Sequence, residues 1–307
     1  MNIKSLSIDN GYGYTKAYPS NIKFKSTVKL GVDNYNEDVI QVKYDSQNYI
    51  VGESNNSYNN DQDKLTSRFG RTHFIVSTLV SIGLSYATEK DIELDLCLGT
   101  PSEYYEKQRH GIVELLKGKE FTIKINRVGM EQNIKINRVM VLPQSLAPII
   151  TNKRYVDSRV VVIDIGSGTI DVSEIIKGKL KSTLTVEKGC TKLYSKIAQQ
   201  MNTEFGTKFN ADDVESMIED KVFILNGESR SMEKYIEDIK YYHTLEFIND
   251  IKQANFDLQG NEVVLIGGGA NLLEKDIRDT IPHARVEHNP QVANVEGYDK
   301  ILKMKLK

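Results

Sequence analysis

An internal near-repeat constrains this chain more than any other feature. Ile8-Asp9-Asn10-Gly11-Tyr12-Gly13-Tyr14-Thr15-Lys16 and Ile163-Asp164-Ile165-Gly166-Ser167-Gly168-Thr169-Ile170-Asp171 follow one pattern. Each has an apolar, strand-like approach, then Asp-x-Gly-x-Gly, then a polar residue and more strand. A lone Asp-x-Gly turn is an ordinary hairpin connection. Two copies behind two buried strands, at corresponding places in two halves of one chain, point to a shared role.

The chemistry of such a turn suits phosphate. Glycines bring backbone N–H groups close to a ligand, and successive N–H groups make an anion-binding concavity. A nearby carboxylate would repel phosphate on its own. It makes sense if Mg2+ lies between them, directly or through water. Neither copy leads into a helical pattern, which argues against a P-loop or a dinucleotide fingerprint, since both need a helix N-terminus after the glycines.

A third glycine site follows the apolar run Val263-Val264-Leu265-Ile266: Gly267-Gly268-Gly269, then Ala270-Asn271 and a helix expected from Leu272. Three adjacent glycines are costly to order. They signal either close backbone approach to a bulky group such as a nucleoside, or a flexible strand–helix connection.

The remaining pattern reads as α/β layers with edge hairpins. Strands are expected at Leu6–Asp9, within 22–52, at Ile92–Leu98, near 120–127 and 133–142, and at Val160–Ile163. A hairpin about Lys177-Gly178 is expected within 170–187. Helices are expected at 72–88, 102–117, 190–205, 211–220 and 231–254, the last as packing surface. Residues 53–63 read as a polar surface loop.

Composition narrows the classes. The chain has 307 residues and a net charge of −2, so no basic excess is available for direct nucleic-acid binding. Cys97 and Cys190 fit no metal spacing and read as buried free thiols of a reducing, cytoplasmic compartment. The five histidines have no zinc spacing. Asp33-Asn34-Tyr35-Asn36-Glu37 faintly resembles a calcium loop but lacks its glycine and final glutamate. No signal peptide, ~20-residue apolar span or N-terminal amphipathic anchor is evident, so no membrane is expected.

The two turns and the late glycine triplet resemble the phosphate 1, phosphate 2 and adenosine motifs of the superfamily of actins, heat-shock chaperones and sugar kinases. Leu142-Pro143-Gln144-Ser145-Leu146-Ala147 is similar to the connecting segment whose Glu or Gln positions the attacking water. Cys97-Leu98-Gly99-Thr100-Pro101, with Tyr104 and Tyr105, and Asn289-Pro290-Gln291-Val292-Ala293-Asn294-Val295-Glu296-Gly297-Tyr298 resemble segments of the ParM plasmid-segregation actins. The resemblance runs in order over nearly the whole chain. Tyr12 and Tyr14 depart from it, standing where smaller residues are usual.

The resemblance implies a two-domain, actin-like (ribonuclease-H-like) α/β fold with a nucleotide cleft between the domains. Domain I is expected over 1–155, completed by 290–307, and domain II over 156–289. The nucleotide would be ATP or GTP with Mg2+. Its expected ligands are Asp9, Asn10, Gly11, Tyr12, Gly13, Tyr14, Thr15 and Lys16 in the first turn, Gly166, Ser167, Gly168 and Thr169 in the second, Gly189, and Gly267, Gly268, Gly269 and Asn271. Lys16 would contact the β- and γ-phosphates as a point charge. Asp9 and Asp164 would hold Mg2+, largely through water. Gln144, Asp164 and Asp171 form the expected catalytic set, with Gln144 orienting water and Asp171 either polarising it or fixing the turn. Gly189 admits two readings, approach to the sugar or an ordinary helix start. Glu215 and Glu219 are candidates for clamping the base.

The implied function is a filament-forming nucleotide triphosphatase that moves plasmid DNA through a DNA-binding adaptor, without direct nucleic-acid contact. A small-molecule kinase of the same superfamily is an alternative, although the zinc element of the compact sugar kinases is missing. A non-hydrolysing actin-like scaffold is another.

Overall fold

The computed structural model describes residues 4–33, 35, 36, 39–53 and 68–306. The expected surface loop at 53–63 lies outside the described residues from position 54 on, as do Asn34 and Glu37 of the segment weighed as a calcium loop. The chain divides into two compact units, Met1–Val156 with Val292–Lys307, and Asp157–Gln291.

The first unit begins with β1 (Lys4–Asn10), β2 (Tyr14–Tyr18), β3 (Ile22–Lys25), β4 (Val28–Leu30), β5 (Ile40–Tyr44) and β6 (Gln47–Val51). There follow α1 (Arg68–Ser85), β7 (Asp91–Thr100), a short 3-10 turn, α2 (Tyr105–Leu116), β8 (Glu120–Ile125), β9 (Glu131–Pro143) and α3 (Leu146–Ile150). The sheet order is β3-β2-β1-β7-β9-β8-β5-β6-β4. Strand β1 is antiparallel to β2 and parallel to β7, which is in turn parallel to β9.

Alternation along β7 assigns its two faces. Ile92, Leu94, Leu96 and Leu98 join Phe74, Leu79 and Ile82 of α1 and Ile112 and Leu116 of α2 in one core. Cys97 points the other way, into a second cluster with Ala147 of α3. Covering on both faces is why every residue from Leu94 to Thr100 is buried, Asp95 included.

The second unit contains β10 (Arg159–Ile165), β11 (Ile170–Ile176), β12 (Lys179–Val186), α4 (Cys190–Phe205), α5 (Ala211–Asp220), β13 (Val222–Leu225), β14 (Glu228–Ser231), α6 (Glu233–Gln253), β15 (Glu262–Ile266), α7 (Ala270–Thr280) and β16 (Arg285–Val286). The chain then returns to the first unit as α8 (Ala293–Leu306), whose Val295, Tyr298, Ile301 and Leu302 complete the cluster around Cys97.

The second unit's main sheet runs β12-β11-β10-β15-β16. Strand β10 is antiparallel to β11 and parallel to β15, and β15 is parallel to β16. The same order and strand sense occur in β3-β2-β1-β7-β9. The sequence repeat is therefore the visible part of a repeated five-stranded layout.

Lys177 and Gly178 take φ of 48° and 70°, the left-handed pair that closes a tight hairpin. A second hairpin escaped the sequence reading. Asn226 and Gly227, at φ of 53° and 82°, join β13 to β14 just where a helix from 231 was expected to begin. Its return strand, Glu228-Ser229-Arg230-Ser231, has no apolar alternation to betray it. What anchors the hairpin is Phe223, stacked edge-on against Tyr235 with centroids 5.2 Å apart.

Candidate functional site

The first turn joins β1 to β2, with Asp9 opposite Lys16 and Asn10 opposite Thr15. A Cβ on Gly11 would lie 2.7 Å from the Tyr14 carbonyl oxygen, so the turn closes only with glycine there. Asp9 is 4% exposed. Its Oδ1 accepts a 2.9 Å hydrogen bond from Gln144 Nε2, and Lys16 Nζ lies 3.6 Å from its Oδ2. Gln144, distant in sequence, thus joins Asp9 and its hairpin neighbour Lys16 within the first unit.

The surroundings fix this turn. Asn10 Nδ2 donates to Thr78 Oγ1 of α1 at 2.9 Å. The Ser26 amide donates to Gly13 O at 2.8 Å, and the hydroxyls of Ser26 and Thr15 lie 2.9 Å apart. Tyr14 lies beneath Lys23, whose Nζ is 4.4 Å from the ring centroid. Its bulk is accommodated beside the turn by this cation–π contact. Tyr12 is half-buried. Gln144 is held by its backbone: its amide donates to Thr100 O at 2.8 Å, and its carbonyl accepts from Ser102 Oγ at 2.5 Å.

The second turn repeats the register, with Asp164 opposite Asp171 and Ile165 opposite Ile170. A Cβ on Gly166 would lie 2.9 Å from Thr169 O, the counterpart of the Gly11 contact. Asp164 and Asp171 are both buried. Asp171 accepts from Thr169 Oγ1 at 2.9 Å and from Thr185 Oγ1 at 2.6 Å. Of the two roles weighed for Asp171, fixing the turn is the one this geometry displays.

The second turn docks through its carbonyls onto the start of α4. The oxygens of Gly168, Gly166 and Ser167 accept from the amides of Gly189, Cys190 and Thr191 at 3.1, 3.0 and 2.9 Å. These amides have no partner within a helix, and the turn supplies one for each. Ser167 Oγ and Thr191 Oγ1 are also 2.9 Å apart. A Cβ on Gly189 would collide with the backbone of Ser167 and Gly168. Gly189 is accordingly explained by close approach to the second turn, a possibility the sequence did not reveal.

The glycine triplet packs against the same strand end. Gly267 has φ of +90°, and a Cβ there would lie 2.5 Å from Asp164 Oδ1. One on Gly269 would meet Cys190 Sγ and Ile165 Cγ2, both at 2.5 Å. Two of the three glycines are therefore required by internal packing. Gly268 is exposed, with only Gln291 Nε2 nearby at 3.6 Å, and Asn271 is exposed in the first turn of α7. That helix begins at Ala270, immediately after the triplet. Glu215 is half-buried and Glu219 exposed, both on α5.

Cys97 and Cys190 are free and buried, and burial is the chief cause pushing both thiols up, Cys190 to about 12. Neither has the lowered pKa of a nucleophile. Among the described residues, no group of three or more His, Cys, Asp or Glu side chains is placed to hold a metal ion, and no helix is long and apolar enough to cross a membrane.

Comparison with known proteins gives two domain matches. Residues 7–146 match the family described as actin like proteins, N terminal domain, and residues 162–279 match the archaeal actin homologue MreB-like family, C-terminal. No curated protein matches in sequence. Among solved structures, Ta0583, an archaeal actin homolog, has a TM-score of 0.83 at 19% identity, covering 99% of this chain and 100% of that one. The same protein in complex with ADP has a TM-score of 0.81 at 18% identity, covering 98% and 100%. A subunit of a 15-stranded ParM filament from Clostridium botulinum has a TM-score of 0.78 at 21% identity, covering 99% and 100%. At these identities the likeness is one of fold.

Proposed function

Since the chain belongs to the actin-like proteins and has their two-domain fold of mixed sheets and helices, we propose that it is a nucleotide triphosphatase that assembles into filaments. Its nucleotide is ATP or GTP with Mg2+, and its cellular task is plasmid DNA segregation through a DNA-binding adaptor. The observation that carries this reading is the doubled hairpin: in each unit a buried aspartate stands near the end of the first strand, beside a glycine turn of the same register.

The donor chemistry fits this ligand. Among the described residues, neither Asp9 nor Asp164 belongs to a group of three or more metal-ligating side chains, which suits an ion bound chiefly by phosphate and water. When bound, Mg2+ neutralises charge on the phosphates. Lys16 adds a cation beside Asp9 at the first turn. Gln144 has no useful basicity, but its amide can orient water, and phosphoryl transfer asks mainly for positioning and charge stabilisation. The ADP complex of Ta0583 and the ParM filament are properties of those proteins, and they support the corresponding parts of this proposal.

The test is phosphate release and light scattering with ATP or GTP and Mg2+, with electron microscopy of the same samples. Hydrolysis together with polymer is expected. Phosphate release stimulated by a sugar, without polymer, would instead assign a kinase. Polymer without phosphate release would assign a scaffold.

A further inference from the structure

Ser145, the residue after Gln144, has φ of 68° and ψ of −27°, a left-handed conformation that residues other than glycine and asparagine rarely adopt. It is completely buried. Its amide donates to Asn294 Oδ1 at 2.9 Å, across 149 residues of sequence. Asn294 lies in the first turn of α8 and is 7% exposed.

Helix α8 is itself locked in place around this bond. The Tyr298 ring and hydroxyl fill the space where Gly99 lacks a side chain, next to Thr100, whose carbonyl receives the Gln144 amide. A Cβ on Gly297 would lie 2.7 Å from the Ala147 carbonyl carbon. The left-handed residue thus has a fixed partner on a fixed element, and the amide that partner holds belongs to the peptide joining Gln144 to Ser145.

We propose that Asn294 is a positioning residue for Gln144. By holding the Ser145 amide it stabilises the left-handed bend, and the bend sends the Gln144 side chain toward Asp9. The inference rests on the hydrolytic reading only where activity is the readout.

The experiment compares Asn294→Ala, Asn294→Asp and the double variant Asn294→Ala/Ser145→Gly in the full chain. Asn294→Asp keeps the acceptor, and glycine at 145 takes the bend without steric cost. Asn294→Ala is expected to lower kcat for ATP about tenfold to a hundredfold with KM within about twofold, as misplacement of a catalytic group does. Both other variants should recover much of the loss. Unchanged kcat in Asn294→Ala, or a loss that neither variant restores, overturns the proposal.

A second readout needs no hydrolysis. In 15N-glutamine-labelled protein, the Gln144 side-chain amide signal is identified by its absence in Gln144→Glu. It should shift in Asn294→Ala and return in the double variant, and a signal indifferent to Asn294 overturns the proposal. If the wild-type protein releases no phosphate, the hydrolytic reading falls, and this signal alone decides the role of Asn294.

Discussion

Lys16 and Asp171 stand at the same station of two like hairpins, each directly across the ladder from the aspartate near the end of the first strand. One is a cation 3.6 Å from its aspartate, while the other is a carboxylate held by two threonine hydroxyls. The fold repeats, but the charge at this station does not. Lys16→Met should therefore weaken nucleotide binding about tenfold or more, the worth of one hydrogen bond to a charged group. Asp171→Ala should instead destabilise the second unit by about 1–3 kcal/mol, by leaving the Thr169 and Thr185 hydroxyls without their acceptor. Titration with a fluorescent nucleotide and thermal melting separate the two effects.

Gln144→Ala should slow hydrolysis by about a hundredfold or more while nucleotide affinity changes little, because a water-orienting group acts chiefly in the transition state. Single-turnover phosphate release, run beside equilibrium binding, checks it. A parallel loss of affinity would mean that Gln144 serves mainly to hold Asp9.

Gly189→Ala should cost about 1–3 kcal/mol through overpacking and displace the second turn, with nucleotide binding falling alongside stability. Gly268→Ala, by contrast, introduces a methyl group whose nearest neighbour is 3.6 Å away and should leave melting almost unchanged. Paired melting curves test the contrast, and a larger loss in Gly268→Ala would contradict it.

His243 introduces a pH dependence. It is fully buried on α6, and its Nε2 lies 2.9 Å from the Lys188 carbonyl oxygen. Burial first, then the Lys196 charge, lowers its pKa from 6.5, opposed by the Lys188 carbonyl and Glu246. The unfolded chain therefore takes up this proton at a higher pH than the folded one. Its contribution to stability is complete above about 6.5 and declines as pH falls through the folded value. Melting temperature measured from pH ~8 to ~5 should show this slope, and His243→Gln should flatten it.

The sequence made legible what depends on local chemistry. Both turns, the buried strands that feed them and the Lys177-Gly178 hairpin follow from glycine placement and apolar runs. Packing across long separations was not legible. Gly267 and Gly269 read as either close approach to a nucleoside or a flexible connection, and neither reading revealed that Asp164, Ile165 and Cys190 occupy the space beside them. Helix α8 was missed although Val295, Tyr298 and Leu302 have helical spacing, because Gly297 interrupts the pattern. That glycine is there for Ala147 and Pro148, which no local rule could reveal.

The carbonyl docking of the second turn onto α4 has a mechanical side. The N-cap amide and the first two helix amides end on the turn, which ties the turn to the start of α4. Helix α4 has 16 residues and so extends about 24 Å. A tilt of about 5° at the turn would sweep its far end by about 2 Å over that length. That end is Phe205, which stacks on Phe223 of the β13–β14 hairpin, the same hairpin that presents Val222 and Ile224 to solvent. A small displacement of the turn beside Asp164 would therefore reach this exposed hairpin through α4.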